Sequence, residues 1–144
     1  MRHVGGRQPK DEIFMKKLLL LPLICFQTHC SSDVNIFEYV DRNSDLKIIV
    51  LDSNSNLLNR HETEIQINSD KYSRLLKWAD NNTDGWAMDP VSHVPADIIV
   101  SQGTFRLLYW LHKDYAVIAF TDKDKKSRQY SKSKLNGDLD FLAK

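Results

Sequence analysis

Cysteine is almost absent from this chain: of 144 residues only Cys25 and Cys30 carry a thiol. Both fall early, so residues 31–144 form no disulfide and offer no thiol nucleophile or thiolate ligand. The stability of that stretch has to come from packing alone. Glycine is scarce too. After residue 30 only Gly85, Gly103 and Gly137 remain, none adjacent to another, which excludes a glycine-rich phosphate cradle. Charge of one sign is also missing. Five of the 20 Lys and Arg and two of the 19 Asp and Glu precede Ser31, so residues 31–144 carry a net charge of −2. A nucleic-acid-binding domain shows a strong basic excess, and that class is set aside. Finally, no apolar run reaches the roughly 20 residues that a membrane-spanning helix needs.

What is present at the N-terminal side is a short apolar run, Leu18–Phe26, broken by Pro22. Met15-Lys16-Lys17 stands before it and polar Gln27-Thr28-His29 follows. A basic start, a short apolar stretch and a polar stop make residues 15–30 an export signal peptide. The competing reading is a buried helix of a cytosolic domain, against which Pro22 and the abrupt polar stop both argue. Residues 1–14 have low hydrophobicity and no periodicity, which predicts a disordered leader. Met15 directly before two lysines points to translation starting there; the alternative is an extended basic region of the same signal. Cys30-Ser31-Ser32-Asp33 follows the run at the distance where a lipoprotein signal places its modified cysteine. Small residues normally precede that cysteine, and here they are Thr28 and His29. Cys30 is the expected lipidation site, with acyl chains anchoring the domain to a membrane. Without them the domain is free in the periplasm.

Residues 31–144 are enough for one globular domain with one core. Val34–Val40 alternates like a strand, Asp41–Asp45 is turn chemistry, and Leu46–Leu51 is a compact apolar strand. A second turn at Asp52–Asn56 leads to a strand over Leu57–Ile67, making a hairpin. Ser69-Asp70 then caps a helix over Lys71–Asn81, with Tyr72, Leu75, Leu76 and Ala79 on one face and Trp78 at its margin. Thr83–Ala96 reads as irregular. Asp97–Ser101, Phe105–Leu111 and Tyr115–Thr121 are strands, Ser127–Ser131 is a basic edge strand, and Leu139–Leu142 is a short terminal turn of helix. The expected fold is therefore α+β: an antiparallel sheet of about six strands with one main helix on one face, in the order β-β-β-α-β-β-β.

No constellation for catalysis or metal binding stands out. His61-Glu62-Thr63-Glu64 begins like a zinc protease motif but lacks the second histidine, and His61 and Glu62 point to opposite sides of a strand. Asp41, Asn43, Asp45 and Asp52 partly mimic a calcium loop, yet Leu46 stands where its sharp turn needs glycine. Ser92, His93 and Asp89 are neighbours in one loop, a poor arrangement for a catalytic triad. No catalytic residue, metal site or cofactor is assigned. The cluster Lys123, Lys125, Lys126, Arg128, Lys132 and Lys134 has two readings: a patch for anionic lipid or an acidic partner, or a solvated hairpin with a lysine-protected edge. Strand 105–111 carries large apolar groups on both faces, Phe105, Leu107, Tyr109 and Leu111 on one, Leu108 and Trp110 with Arg106 on the other. It is either central and covered on both sides, by the helix and by loop 83–96, or it exposes an Arg106/Trp110 patch.

The stretch Tyr72-x-x-Leu75-x-x-Trp78, Asn82-x-x-Gly85-Trp86, then Pro95 and Phe105-Arg106-Leu107, resembles a group of small Gram-negative envelope lipoproteins. The resemblance covers about half of the expected mature chain. It implies an immunity-type protein of the kind found beside secreted toxins, and brings no catalytic residues with it. The expected function is a periplasmic, non-enzymatic binding module with a protein partner and no nucleic acid. Its contacts are expected at Trp86, Asp89, His93, Arg106 and Trp110. The alternatives are an envelope lipoprotein with a structural or stress-related role, bound to lipid or peptidoglycan, and a small hydrolase. Labelled palmitate should enter the protein and be lost in Cys30→Ala; incorporation that survives the substitution would refute lipidation while leaving export intact.

Overall fold

A computed structural model describes residues 31–51, 60–93 and 95–144. The leader, the signal, Cys30 and the turn at Asp52–Asn56 lie outside the described residues. The elements in chain order are β1 (Ser31–Ser32), a 3-10 turn (Ile36–Tyr39), β2 (Leu46–Leu51), β3 (Arg60–Ile65), α1 (Asp70–Asn81), β4 (Trp86–Met88), β5 (Ile98–Gln102), β6 (Phe105–Trp110), β7 (Tyr115–Thr121), β8 (Ser127–Ser133) and a second 3-10 turn (Asp140–Ala143). The fold is mixed α+β, with one open sheet ordered β1-β4-β8-β7-β6-β5-β2-β3. Every neighbouring pair is antiparallel.

The sheet has eight strands rather than about six. The two additions are short: Ser31 and Ser32 pair with Ala87 and Trp86, and Ala87 and Met88 pair with Ser131 and Tyr130. Neither is long enough to show alternation in sequence, and β4 lies inside the stretch that reads as irregular. Its presence changes the standing of β8, which is not an edge strand: it has β7 on one side and β4 on the other. The expected strand Val34–Val40 is instead a bend and a 3-10 turn. Val34 and Ile36 both turn into the core, and the Asn35 side chain caps the turn by accepting the Phe37 N–H at 3.2 Å.

Helix α1 starts where its cap predicts, with the Ser69 hydroxyl accepting the Tyr72 N–H at 3.1 Å. Tyr72, Leu75, Trp78 and Ala79 are its buried residues, while Leu76 is half-buried. Trp78 is drawn fully inward because Trp86 waits beneath it, edge to face, with ring centroids 6.4 Å apart. The Asn82 side chain donates to the Trp78 carbonyl at 2.9 Å, and the Asn82 carbonyl accepts the Trp86 indole N–H at 2.7 Å. Lys132 of β8 closes the group by donating to the Asn82 side-chain oxygen at 2.9 Å. Gly85 turns the chain into β4 at φ +73°, a conformation in which other residues are strained.

The main core lies between this side of the sheet and α1 with the two 3-10 turns. Leu46, Ile48, Ile65, Ile98, Leu107, Tyr109 and Ile118 all point into it. The opposite side is covered only in part. The chain between β4 and β5 crosses it and, with Ala96, buries Trp110 and Val117 in a small second cluster. Strand β6 is thus central and buried on both faces at its Trp110 end, while Arg106 at the other end stays exposed. Trp86→Ala should lower stability by about 3–5 kcal/mol, as for other fully buried large aromatics. Met88→Ala, two residues on and exposed, should change it by less than about 0.5 kcal/mol. Urea unfolding of the two variants checks the contrast.

Candidate functional site

The crossing between β4 and β5 is long, apolar in places and held to the sheet by one carboxylate. Asp89 directly follows β4, and its N–H donates to the Gln129 carbonyl at 3.0 Å. Its Oδ1 accepts the Val91 N–H at 3.1 Å. Its Oδ2 accepts the Tyr115 hydroxyl at 2.7 Å and meets His93 Nε2 at 2.9 Å. The Gln129 side chain adds bonds to the Asp89 and Val91 carbonyls at 2.8 and 2.6 Å. Trp110 ties down the far end, its indole N–H donating to the Pro95 carbonyl at 3.2 Å. The rings of His93, Trp110 and Tyr115 pack together with centroids 5.5–5.8 Å apart.

Burial pushes the Asp89 carboxyl up, but the hydrogen bonds from Tyr115, the Val91 N–H, Ser131 and His93 outweigh it and leave its pKa below the ordinary value. Burial raises the Tyr115 hydroxyl, Ser131 pulls it back, and the Asp89 carboxylate raises it further. The tyrosine therefore stays protonated and donates. Asp89 is an ionised brace that ties the start of the crossing to the sheet.

The expected contact residues separate on this framework. Trp86 has no exposed surface and faces the main core, so it offers a partner nothing directly. Trp110 is 5% exposed and is roofed by the crossing. Asp89 is buried and points inward, and His93 is partly exposed at the rim. Arg106 alone among the five stands fully in solvent, on the uncovered part of the same sheet face as Trp110. Ser92 is exposed, and among the described residues no serine hydroxyl reaches the His93 ring, which is engaged with Asp89. No group of three or more His, Cys, Asp or Glu side chains that could hold a metal ion occurs among the described residues.

What sequence reasoning missed is the surface beside Arg106. The register places Ile49, Ile99 and Leu108 side by side across β2, β5 and β6 on the uncovered face, continuing into buried Val117 of β7. All three are half-buried, and Ile99 and Leu108 pack against the Ala96–Trp110–Val117 cluster. The next row across holds Lys47, Ser101, Arg106 and Ala119, and Lys47 pairs with Glu62 of β3 at 2.7 Å. The signal was in the sequence only as continuous apolar runs at 48–51 and 98–100, which fit strands buried on both faces equally well. The result is a half-buried apolar strip with a charged margin at Arg106 and the braced crossing at one side. In comparisons with known proteins, no family model, no curated protein and no solved structure matches this chain.

Because the folded-state pKa of Asp89 lies below the unfolded one, its stabilisation is present above about pH 4 and is lost as pH falls through the folded value. Asp89→Asn should cost about 1–3 kcal/mol at neutral pH by leaving donors poorly paired. It should also flatten the acid limb of the stability–pH curve. Unfolding midpoints measured from pH 7 to pH 3 check both.

Proposed function

We propose that this chain is an exported, non-enzymatic binding module that holds a protein partner on its uncovered sheet face, and that it acts as an immunity-type inhibitor of a toxin working in the periplasm. The observation that carries the binding reading is the half-buried Ile49–Ile99–Leu108 strip beside exposed Arg106. An apolar centre with a charged margin and an exposed arginine is the composition of protein–protein hot spots. The braced crossing supports the same reading, since a wall tied to the sheet spares a partner the entropy of ordering it. His93 at the crossing and Arg106 on the strip are the contacts retained from the expected set; Trp86, Trp110 and Asp89 shape the surface from beneath.

Export through residues 15–30 and a lipid anchor at Cys30 place the module at a membrane of the envelope. No helix among the described residues is long and apolar enough to cross a membrane. The immunity role rests on the resemblance of the Tyr72–Trp86 motif to small envelope lipoproteins and on the absence of a catalytic constellation in the sequence.

Isolation of the exported protein from envelope extracts, through a tag placed after the exposed Lys144, should recover a protein partner. Arg106→Glu should reduce that recovery at least about tenfold, the loss of one hot-spot contact, without moving the unfolding midpoint. Failure to recover any partner under several growth conditions would overturn the reading, as would a secreted toxin partner that binds Arg106→Glu and the unaltered chain alike.

A further inference from the structure

The strand directions fix where the chain enters the domain. β1 runs antiparallel to β4, which runs antiparallel to β8, so β1 and β8 point the same way. Ser31 stands level with Ala87 and Ser131. Ser31 therefore opens β1, on the outer edge of β4, at the end nearer the turn that joins β7 to β8.

That corner of the sheet gathers three further features. Met88 and Val91, 62% and 61% exposed, are the exposed large hydrophobic residues of the described structure, and both flank β8 there. Between Met88 and β8 runs an open groove of about 310 Å³, lined by Met88, Pro90, Arg128 and Tyr130 among others. The β7–β8 turn ends the corner with Lys123, Lys125 and Lys126, all exposed. Of the acids nearby, Asp122 accepts the Lys126 N–H at 2.8 Å and Arg128 at 2.7 Å, and Glu38 pairs with Lys123 at 3.7 Å. Among the described residues, Lys125 and Lys126 form no ion pair.

We propose that this corner is the membrane-facing part of the molecule, with Met88 and Val91 set into the interface and Lys125 and Lys126 on anionic headgroups. The proposal rests on the anchored reading given above and adds an orientation to it. Exposed apolar side chains next to free lysines, at the end where Ser31 opens β1, match a lipid surface in both hydrophobicity and charge. A lipid chain reinforced by a basic contact holds more firmly than the chain alone. Arg106 stands on β6, three strand spacings and about 14 Å from β4.

The test uses the acylated full-length protein reconstituted in vesicles of phosphatidylcholine alone or with phosphatidylglycerol. Outside residues 15–30 the chain has no cysteine, so Val91→Cys, Lys125→Cys and Glu62→Cys each give one site for a nitroxide label. On the anionic vesicles the labels at 91 and 125 should be shielded from aqueous quencher and the label at 62 should not. Lys125→Glu/Lys126→Glu, labelled at 91, should regain exposure. Labels at 91 and 125 as exposed as the one at 62 would overturn the proposal and leave the lysines to an acidic protein. If the protein fails to float with the neutral vesicles, the anchor is refuted separately; the corner must then hold the protein on anionic vesicles unaided, and release from those overturns the proposal too.

Discussion

The structure depends on the need of the β6–β7 hairpin to be covered on both sides. Its residues alternate large apolar groups toward either face: Leu107, Tyr109, Ala116 and Ile118 toward the helix, and Leu108, Trp110 and Val117 away from it. A strand of this kind cannot sit at the surface of a two-layer fold without exposing one set. The helical layer covers the first set. Among the described residues, Trp110 and Val117 of the second set are covered by the crossing between β4 and β5, and Leu108 packs partly buried against them. Irregular backbone makes a poor roof unless its polar groups are satisfied. Asp89, Gln129 and Trp110 do this by taking up the N–H and C=O groups of the crossing.

The consequence is an uneven second face. The crossing reaches across β8, β7 and the Trp110 end of β6, then returns into β5. Farther along this face Ile49, Ile99 and Leu108 form a half-buried apolar strip, and the Arg106 end of β6 stays exposed. A partner seated on this strip would extend the layer that the crossing begins.

The residues of the resemblance acquire a different meaning in three dimensions. Trp78, Asn82, Gly85 and Trp86 form one structural unit that joins the end of α1 to β4. They specify how the helix returns to the sheet. A likeness carried by such residues speaks to architecture, and the surface that would choose a partner lies on the other side of the sheet. The lysine cluster likewise divides. Lys132 is internal to that unit through Asn82 and Asp84, Arg128 is committed to Asp122, Lys123 pairs with Glu38, and Lys125, Lys126 and Lys134 form no ion pair among the described residues.

Much of the fold was legible in local pattern. The cap at Ser69 and the spacing of Tyr72, Leu75 and Ala79 determined α1. Alternation determined β6 and its two-faced character, and turn residues placed the β6–β7 hairpin. These signals are local, because helix caps, side-chain period and turn chemistry act over a few residues. What only the tertiary structure decided was non-local. Two residues at 31–32 become a strand because Trp86–Met88 lies open beside them, and 34–40 bends because Val34 and Ile36 find the core from a turn. Trp86 and Trp110 are buried where the composition alone allowed a surface patch. Asp89 is a brace because Tyr115 and His93 meet at one oxygen, and Ile49, Ile99 and Leu108 form a surface because three strands far apart in sequence align them. Burial depends on what packs above a side chain, and in this molecule the covering segment is irregular, with no period for a sequence to display.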